Sequence, residues 1–284
     1  MTTPRIGLAL GGGGARGMAH VPVMEAFDDL GIVPHAISGT SIGAIFGAAY
    51  ASGLSGEELR EISTATFRDR NAVFSRLWKL RPRRFGDIFG TPGFMQFDAG
   101  KVVHHFVGAH IPETFEELKI PLTLVATDFF RCRESRMDTG ALHSAVAASI
   151  AIPALFKPVL VGERVMVDGG LVNPLPFDAL PEDIDIVVAS DVVGSPMPRK
   201  GKTIPGAGDA VFGATQILMQ SITLEKLKTR QPDILVKPDI AAFRVLDFMK
   251  TEKILAAAEP MRDMVKRRIS VAIETFEANG TGRS

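Results

Sequence analysis

Ser38-Gly39-Thr40-Ser41-Ile42-Gly43-Ala44 is a Gly-x-Ser-x-Gly turn set between two dissimilar segments. Before it, Val33-Pro34-His35-Ala36-Ile37 is short and largely apolar, as a buried strand is. After it, residues 44–51 are rich in small side chains and free of proline, as a helix packed close to a sheet would be. Strand, abrupt turn and helix is the setting in which a serine is held exposed in a strained corner. Gly39 and Gly43 on either side let strand and helix approach closely. The N-terminus of the following helix favours negative charge near Ser41. The five-residue pattern is common in loops; its context makes Ser41 a candidate nucleophile.

Working outward, the apolar run Ile6-Gly7-Leu8-Ala9-Leu10 reads as a buried parallel strand. It ends in Gly11-Gly12-Gly13-Gly14-Ala15-Arg16-Gly17, and residues 18–30 then carry helical spacing. Gly12, Gly14 and Gly17 meet the dinucleotide-loop spacing formally, which opens a nucleotide- or phosphate-binding reading. Against it, no Lys-Ser/Thr pair ends the loop. The Ser41 turn also stands where a ribose-binding acid would be expected. The other use of such a loop is an oxyanion hole, in which the backbone N–H groups of Gly12, Gly13 and Gly14 converge on one point. Arg16 either supplies fixed positive charge beside that point or pins the loop through an ion pair.

Downstream, residues 55–66 read as a helix with Ser55 as N-cap and Glu57-Glu58 in its first turn. Between Phe67 and Phe97 the chain becomes basic and aromatic, with Arg68, Arg70, Arg76, Lys79, Arg81, Arg83 and Arg84 among Phe74, Trp78, Phe85, Phe89 and Phe94. That mixture suits an anionic membrane surface, and equally a cap whose rings pack inward and whose charges face water. Residues 97–111 read as a helix; His104, His105 and His110 lack a second ligand cluster and are read as structural or exposed. Strands are expected over residues 121–128, 164–168, 184–191 and 233–236, and helices over 142–151, 209–230 and from 251 into the 270s with a bend at Pro260.

A nucleophilic serine needs a base. The six histidines all lie at or before His143, so a late-histidine triad cannot be built around Asp168, while an earlier acid paired with His143 stays open. Asp168, closing a short strand before Gly169-Gly170, is the economical partner, while the same local sequence also suits a turn-forming aspartate. A carboxylate is a weak base, so such a site would depend on apolar burial to raise its pKa and on strong oxyanion stabilisation.

With 284 residues, 46% hydrophobic and 23% charged, the chain has ample material for a core. Charges balance at 32 basic and 32 acidic residues, and no recognised motif points to nucleic acid. A single cysteine, Cys132, excludes an intrachain disulfide and a multi-cysteine metal site. No window reaches the length of a spanning helix and no leader is recognisable, so a cytoplasmic protein is expected, with peripheral contact to the inner face of a membrane left open.

Taken in order, Gly12-Gly13-Gly14-Ala15-Arg16-Gly17, Gly39-Thr40-Ser41-Ile42-Gly43 and Asp168-Gly169-Gly170 resemble the three signature blocks of the patatin-like phospholipases. Residues 148–159 are similar to that family's helix-to-strand block, and the resemblance runs from about residue 6 to 191. It implies a three-layer α/β/α fold around a mainly parallel sheet. It further implies a Ser41–Asp168 dyad with Gly12, Gly13 and Gly14 as oxyanion hole, and hydrolysis of lipid acyl esters without metal or cofactor. The expected organisation is one domain over residues 1–284. Its core spans about 5–195, with a cap insertion over about 67–108 and an extension over about 196–278. No oligomeric state is assigned. The rivals are a nucleotide- or phosphate-binding regulatory module and an inactive lipid-binding scaffold.

Overall fold

A computed structural model describes residues 3–69, 71, 96–197 and 204–281. Eight strands form one sheet: β1 (Ile6–Leu10), β2 (Ala36–Thr40), β3 (Leu122–Asp128), β4 (Arg133–Met137), β5 (Val159–Val161), β6 (Arg164–Asp168), β7 (Ile186–Ser190) and β8 (Ile234–Val236). Their spatial order is β5-β6-β3-β2-β1-β7-β8, with β4 also paired to β3. The five strands β3, β2, β1, β7 and β8 are mutually parallel, whereas β4, β5 and β6 run antiparallel to their neighbours. The apolar runs of β1 and β7 are buried along their whole length, as both-sided coverage of a parallel sheet demands.

Alternation along the strands divides the core. Leu8, Leu10 and Ile37 face a large apolar layer built from α1 (Val21–Asp29), α2 (Ile42–Ala51), α3 (Gly56–Arg68), α4 (Ala99–Phe106), α5 (Leu142–Ser149), α7 (Thr251–Ala258) and α8 (Pro260–Thr281). Ala9, Ala36, Val187 and Ala189 face a smaller layer of Leu175, Phe177 and Leu180, flanked by Leu227 of α6 (Ala207–Thr229). The result is three layers with the helices distributed unequally. A capping box formed by Ser55 and Glu58 starts α3 where the sequence places it. The C-terminal region is woven into the fold, since β8 extends the sheet beyond β7 and α8 packs on α1.

The expected cap over about 67–108 is described only in part. α4 falls within that range, and Phe67 and Phe97 both turn inward to line a cavity, Phe67 stacking on Phe248 at 5.1 Å between ring centroids. The rest of the basic-aromatic stretch, residues 70 and 72–95, lies outside the described residues. Among the described residues no helix is long and apolar enough to cross a membrane.

One feature of the pairing positions the site. β2 lies along β3 as far as Thr40, which pairs Val125. The next residue of β3, Ala126, pairs Asp168 at the end of β6. Because Leu124 to Asp128 also pair β4 throughout, β6 must occupy the same edge of β3 that β2 has just left. Two strands therefore meet nearly head-on, β2 ending in Ser41 and β6 ending in Asp168.

Candidate active site

Ser41 sits at φ 55° and ψ −122°, a left-handed conformation uncommon for a residue with a side chain. Such strain costs on the order of 1–3 kcal/mol and persists only where the surroundings hold it. They do: the Ser41 N–H donates to Ser149 Oγ at 2.9 Å, and Ser149 Oγ–H donates in turn to the Val125 carbonyl at 2.6 Å. The turn also needs two bare α-carbons. A Cβ on Gly39 would lie 2.6 Å from the Gly43 carbonyl oxygen, and one on Gly43 would lie 2.1 Å from that of Leu10. In the sequence Ser149 stands out only as part of a small-residue helix and of the helix-to-strand block over residues 148–159; in the fold its hydroxyl is a second fastening of the elbow.

The Ser41 hydroxyl donates to Asp168 Oδ2 at 2.5 Å, while Asp168 Oδ1 accepts the Gly170 N–H at 2.7 Å. Both carboxylate oxygens are thus occupied and aimed. The aspartate backbone is fixed at both ends, its N–H donating to the Ala151 carbonyl at 3.0 Å and its carbonyl accepting Thr127 Oγ1–H at 2.8 Å. Gly169 packs where a Cβ would come within 2.2 Å of the Val125 carbonyl oxygen. Asp168 is buried, and desolvation of its charged form pushes its pKa up to about 6, against the lowering effect of its two hydrogen bonds.

The glycine loop reaches the same point from β1. Of the three amides expected to face the site, that of Gly12 is already engaged, donating to the Pro174 carbonyl at 2.8 Å. The amides of Gly13 and Gly14 donate to no acceptor among the described residues. Gly14 takes φ +59° with the Val245 carbonyl oxygen 2.2 Å from where a Cβ would be, so its amide direction depends on the missing side chain. Gly13, Gly14, Ser41 and Asp168 line one narrow cleft of about 30 Å³.

Arg16 lines that cleft and is also a pin. The residue is 1% exposed, its guanidinium packs against Gly194, where a Cβ would come within 1.8 Å of Nη1, and Nη1 reaches the Phe243 carbonyl at 3.5 Å. The Gln216 amide, oriented with its oxygen towards Arg16, accepts from Nη2 at 2.6 Å and Nη1 at 3.1 Å. Burial pushes its pKa down to about 10, with Asp191 partly offsetting the loss, so the side chain stays cationic at neutral pH. No ion pair closer than that long-range attraction holds it among the described residues.

His20 carries a structural role that its sequence context does not signal. Its Nε2 lies 2.9 Å from the Gly11 carbonyl and its Nδ1 lies 2.8 Å from Ser190 Oγ. A carbonyl only accepts, so Nε2 bears the proton and Nδ1 accepts from the serine. Burial pushes this imidazole down to about 4 and keeps it neutral, tying the start of the glycine loop to β7. His104 and His105 are exposed, and His110 lines the cavity described next.

From Ser41 an apolar cavity of about 400 Å³ extends along α2, past Ile42, Ile45, Phe46 and Ala49. Leu59, Phe97 and Phe248 are among the side chains that close its other sides. Two helical turns separate Ser41 from Ala49, about 12 Å at 1.5 Å per residue. The arrangement joins a hydroxyl hydrogen-bonded to a buried carboxylate, two amides unengaged among the described residues and a long apolar chamber. That is the equipment for acyl transfer from an ester carrying an apolar chain.

A sequence profile described as patatin-like phospholipase matches residues 8–181. An uncharacterized NTE family protein of Mycobacterium tuberculosis is 33% identical over 199 residues, covering 68% of this chain and 51% of that protein. A lysophospholipase of Cryptococcus neoformans is 31% identical over 198 residues, covering 67% of this chain and 11% of the relative. The chain thus spans about half the length of the mycobacterial relative and a small part of the fungal one. Among solved structures, full-length SpcU in complex with full-length ExoU from Pseudomonas aeruginosa aligns with a TM-score of 0.47 at 16% identity, over 95% of this chain and 53% of that one. The three glycine, serine and aspartate blocks all fall inside the matched segment, and the chain belongs to the patatin-like phospholipase family.

Proposed function

We propose that the protein hydrolyses fatty acyl esters of lipids, of phospholipase or lysophospholipase type, through a Ser41–Asp168 dyad. The observation that carries the reading is the 2.5 Å hydrogen bond from a strained, buried serine to a buried carboxylate. In the first half-reaction Ser41 Oγ attacks the acyl carbonyl while its proton passes to Asp168 Oδ2. The oxygen of the tetrahedral intermediate takes its negative charge against the Gly13 and Gly14 N–H groups. The intermediate collapses, and the leaving alcohol receives the proton from Asp168. Water then attacks the acyl-enzyme and gives a proton to Asp168, which passes it to Ser41 Oγ as the Oγ–acyl bond breaks and the fatty acid leaves. The apolar cavity along α2 would hold the acyl chain throughout.

The glycine loop is better suited to this role than to a nucleotide. Its cleft measures about 30 Å³, and Gly12 has already spent its amide on Pro174. Gly13 and Gly14 are left as a pair of donors beside a serine, which matches one oxyanion better than a run of phosphates.

Two measurements test the reading. Wild type is expected to turn over a short-chain acyl ester and a lysophospholipid in the presence of chelator, and Ser41→Ala to lose both. Turnover that survives Ser41→Ala would overturn it, and lipid binding without any turnover would favour the inactive scaffold. The second is pH. Asp168 accepts a proton only as carboxylate, so kcat/KM on a soluble ester should rise about tenfold per unit below a midpoint near 6 and level off above it. A midpoint below 4 would mean that the base is not this buried group.

A further inference from the structure

We propose that the rim built by the β3–β4 turn and the β5–β6 hairpin docks the protein on an anionic lipid bilayer. Phe129 is 50% exposed, Phe130 77% and Leu160 67%, values that no folding requirement explains. The sheet register makes them neighbours. The Phe129 N–H donates to the Val165 carbonyl at 2.9 Å, and Val165 pairs Leu160 across β5 and β6. Residues side by side in such a row project from the same face of a sheet, so Leu160, Val165 and Phe129 form one apolar strip. Phe130 extends it, its ring meeting that of Phe129 edge-on at 5.2 Å between centroids.

The strip lies on the edge of the sheet that carries the candidate dyad. Ala126 pairs Asp168, β3 ends two residues further on at Asp128, and the β3–β4 turn carrying Phe129 and Phe130 follows directly. A surface touched by these rings would therefore lie at the end of the sheet where β2 and β6 meet.

Charge narrows the occupant to an anionic one. Arg131, Arg133 and Arg164 are exposed around the strip, against one exposed acid, Glu163, in the β5–β6 turn. Arg131 also lies 3.7 Å from the buried Asp128 carboxylate, and Arg164 reaches Ser135 Oγ at 3.4 Å. Aromatic rings with arginines beside them match the boundary of an anionic bilayer, where rings enter the headgroup layer and guanidinium groups meet phosphates. A second copy of this chain is the poorer fit, because a two-fold contact would set the same arginines against each other. The choice of a lipid surface rests on the proposed activity; the shape and charge of the rim do not.

The chain supplies its own reporter. Cys132 is the single cysteine, exposed, and part of this turn. A nitrobenzoxadiazole fluorophore on Cys132 of the full chain carrying Ser41→Ala is mixed with phosphatidylcholine vesicles, with and without phosphatidylglycerol. The expected result is a blue-shifted, brighter emission with the anionic vesicles, reversed by salt. A Phe129→Ser, Phe130→Ser double variant with an unchanged melting temperature should partition at least about tenfold more weakly, given the apolar area removed. Arg133→Gln should cost about fivefold on the anionic vesicles alone. Protein that sediments with vesicles while the fluorophore stays unchanged, or a double variant that binds like the parent, would overturn the proposal. An acidic protein partner in place of lipid would show as binding lost on both vesicle types. Turnover of a soluble ester by unlabelled wild type is read separately, so failed docking with intact hydrolysis removes only the rim, and docking without hydrolysis removes only the activity.

Discussion

Asp168→Asn should abolish turnover of a soluble acyl ester, by on the order of 10⁴ in kcat/KM, while making the protein more stable at neutral pH. Loss of a positioned base alone accounts for 10² to 10⁴. The upper end applies because, among the described residues, Asp168 is the one carboxylate bonded to Ser41, and no histidine side chain is hydrogen-bonded to either of them. Ser41→Ala should be worse still, on the order of 10⁶, as removal of a nucleophile is elsewhere. The stability gain follows from the raised pKa. The native state holds its proton up to about pH 6, whereas an unfolded aspartate loses it near 3.8. Between those values the native state binds more protons than the unfolded one, so stability falls as pH rises through the window. Above pH 6 the ionised, buried carboxylate costs on the order of 3 kcal/mol, which a neutral amide does not. Melting curves of wild type and Asp168→Asn should accordingly separate at pH 8 and converge near pH 4. An Asn variant that is less stable at pH 8, or one that keeps its esterase activity, would remove Asp168 from the role of buried base.

The parts of this site that the sequence made legible are those defined by covalent neighbours. Ser41 announces itself because a Gly-x-Ser-x-Gly run between strand and helix leaves few backbone paths, and the observed φ of 55° is one of them. The absence of any histidine beyond His143 made Asp168 the economical partner, the family resemblance singled it out, and the head-on meeting of β2 and β6 brings it within 2.5 Å of Ser41. What stayed hidden depends on distant contacts. The Gly12 amide looked equivalent to those of Gly13 and Gly14, because nothing local says that Pro174 will approach within 2.8 Å of it. β4 was missed since its buried positions are Ser135 and Met137, which read as no apolar alternation. The single helix expected over residues 18–30 is a 3-10 turn over Gly14–His20 followed by α1 from Val21, because the loop's tight winding persists until Pro22 takes the first helical turn. Arg16 was expected to act either as a fixed charge or through an ion pair. It is held by Gln216 and the Phe243 carbonyl, groups too far along the chain for any motif to predict.

Among the described glycines, Gly43→Ala should be one of the most damaging additions of a single methyl group. The new Cβ would lie 2.1 Å from the Leu10 carbonyl oxygen, 2.6 Å from its carbon and 2.8 Å from the Gly11 carbonyl oxygen. All three are backbone atoms of β1 and the start of the glycine loop, so no side chain can rotate out of the way. Relief requires α2 and β1 to separate, against the fully buried contacts of Leu8 and Leu10 with that helix layer. Overpacking of this kind usually costs 1–3 kcal/mol, and a clash with rigid backbone belongs at about 3 kcal/mol or more. The same displacement carries Gly13 and Gly14 away from Ser41, and losing the aim of an oxyanion donor costs about 10²–10³ in kcat. Stability and activity should thus fall together, although Gly43 touches neither substrate nor base. Gly208→Ala is the matching control: its Cβ would meet nothing within 4 Å, and an alanine in the first turn of α6 should be neutral or stabilising by up to about 1 kcal/mol. Thermal melting and soluble-ester kinetics on both variants decide the matter. A Gly43→Ala protein that melts and turns over like wild type would mean that the elbow has room for a side chain, and the close approach of α2 to β1 would then play no part in aiming the two amides.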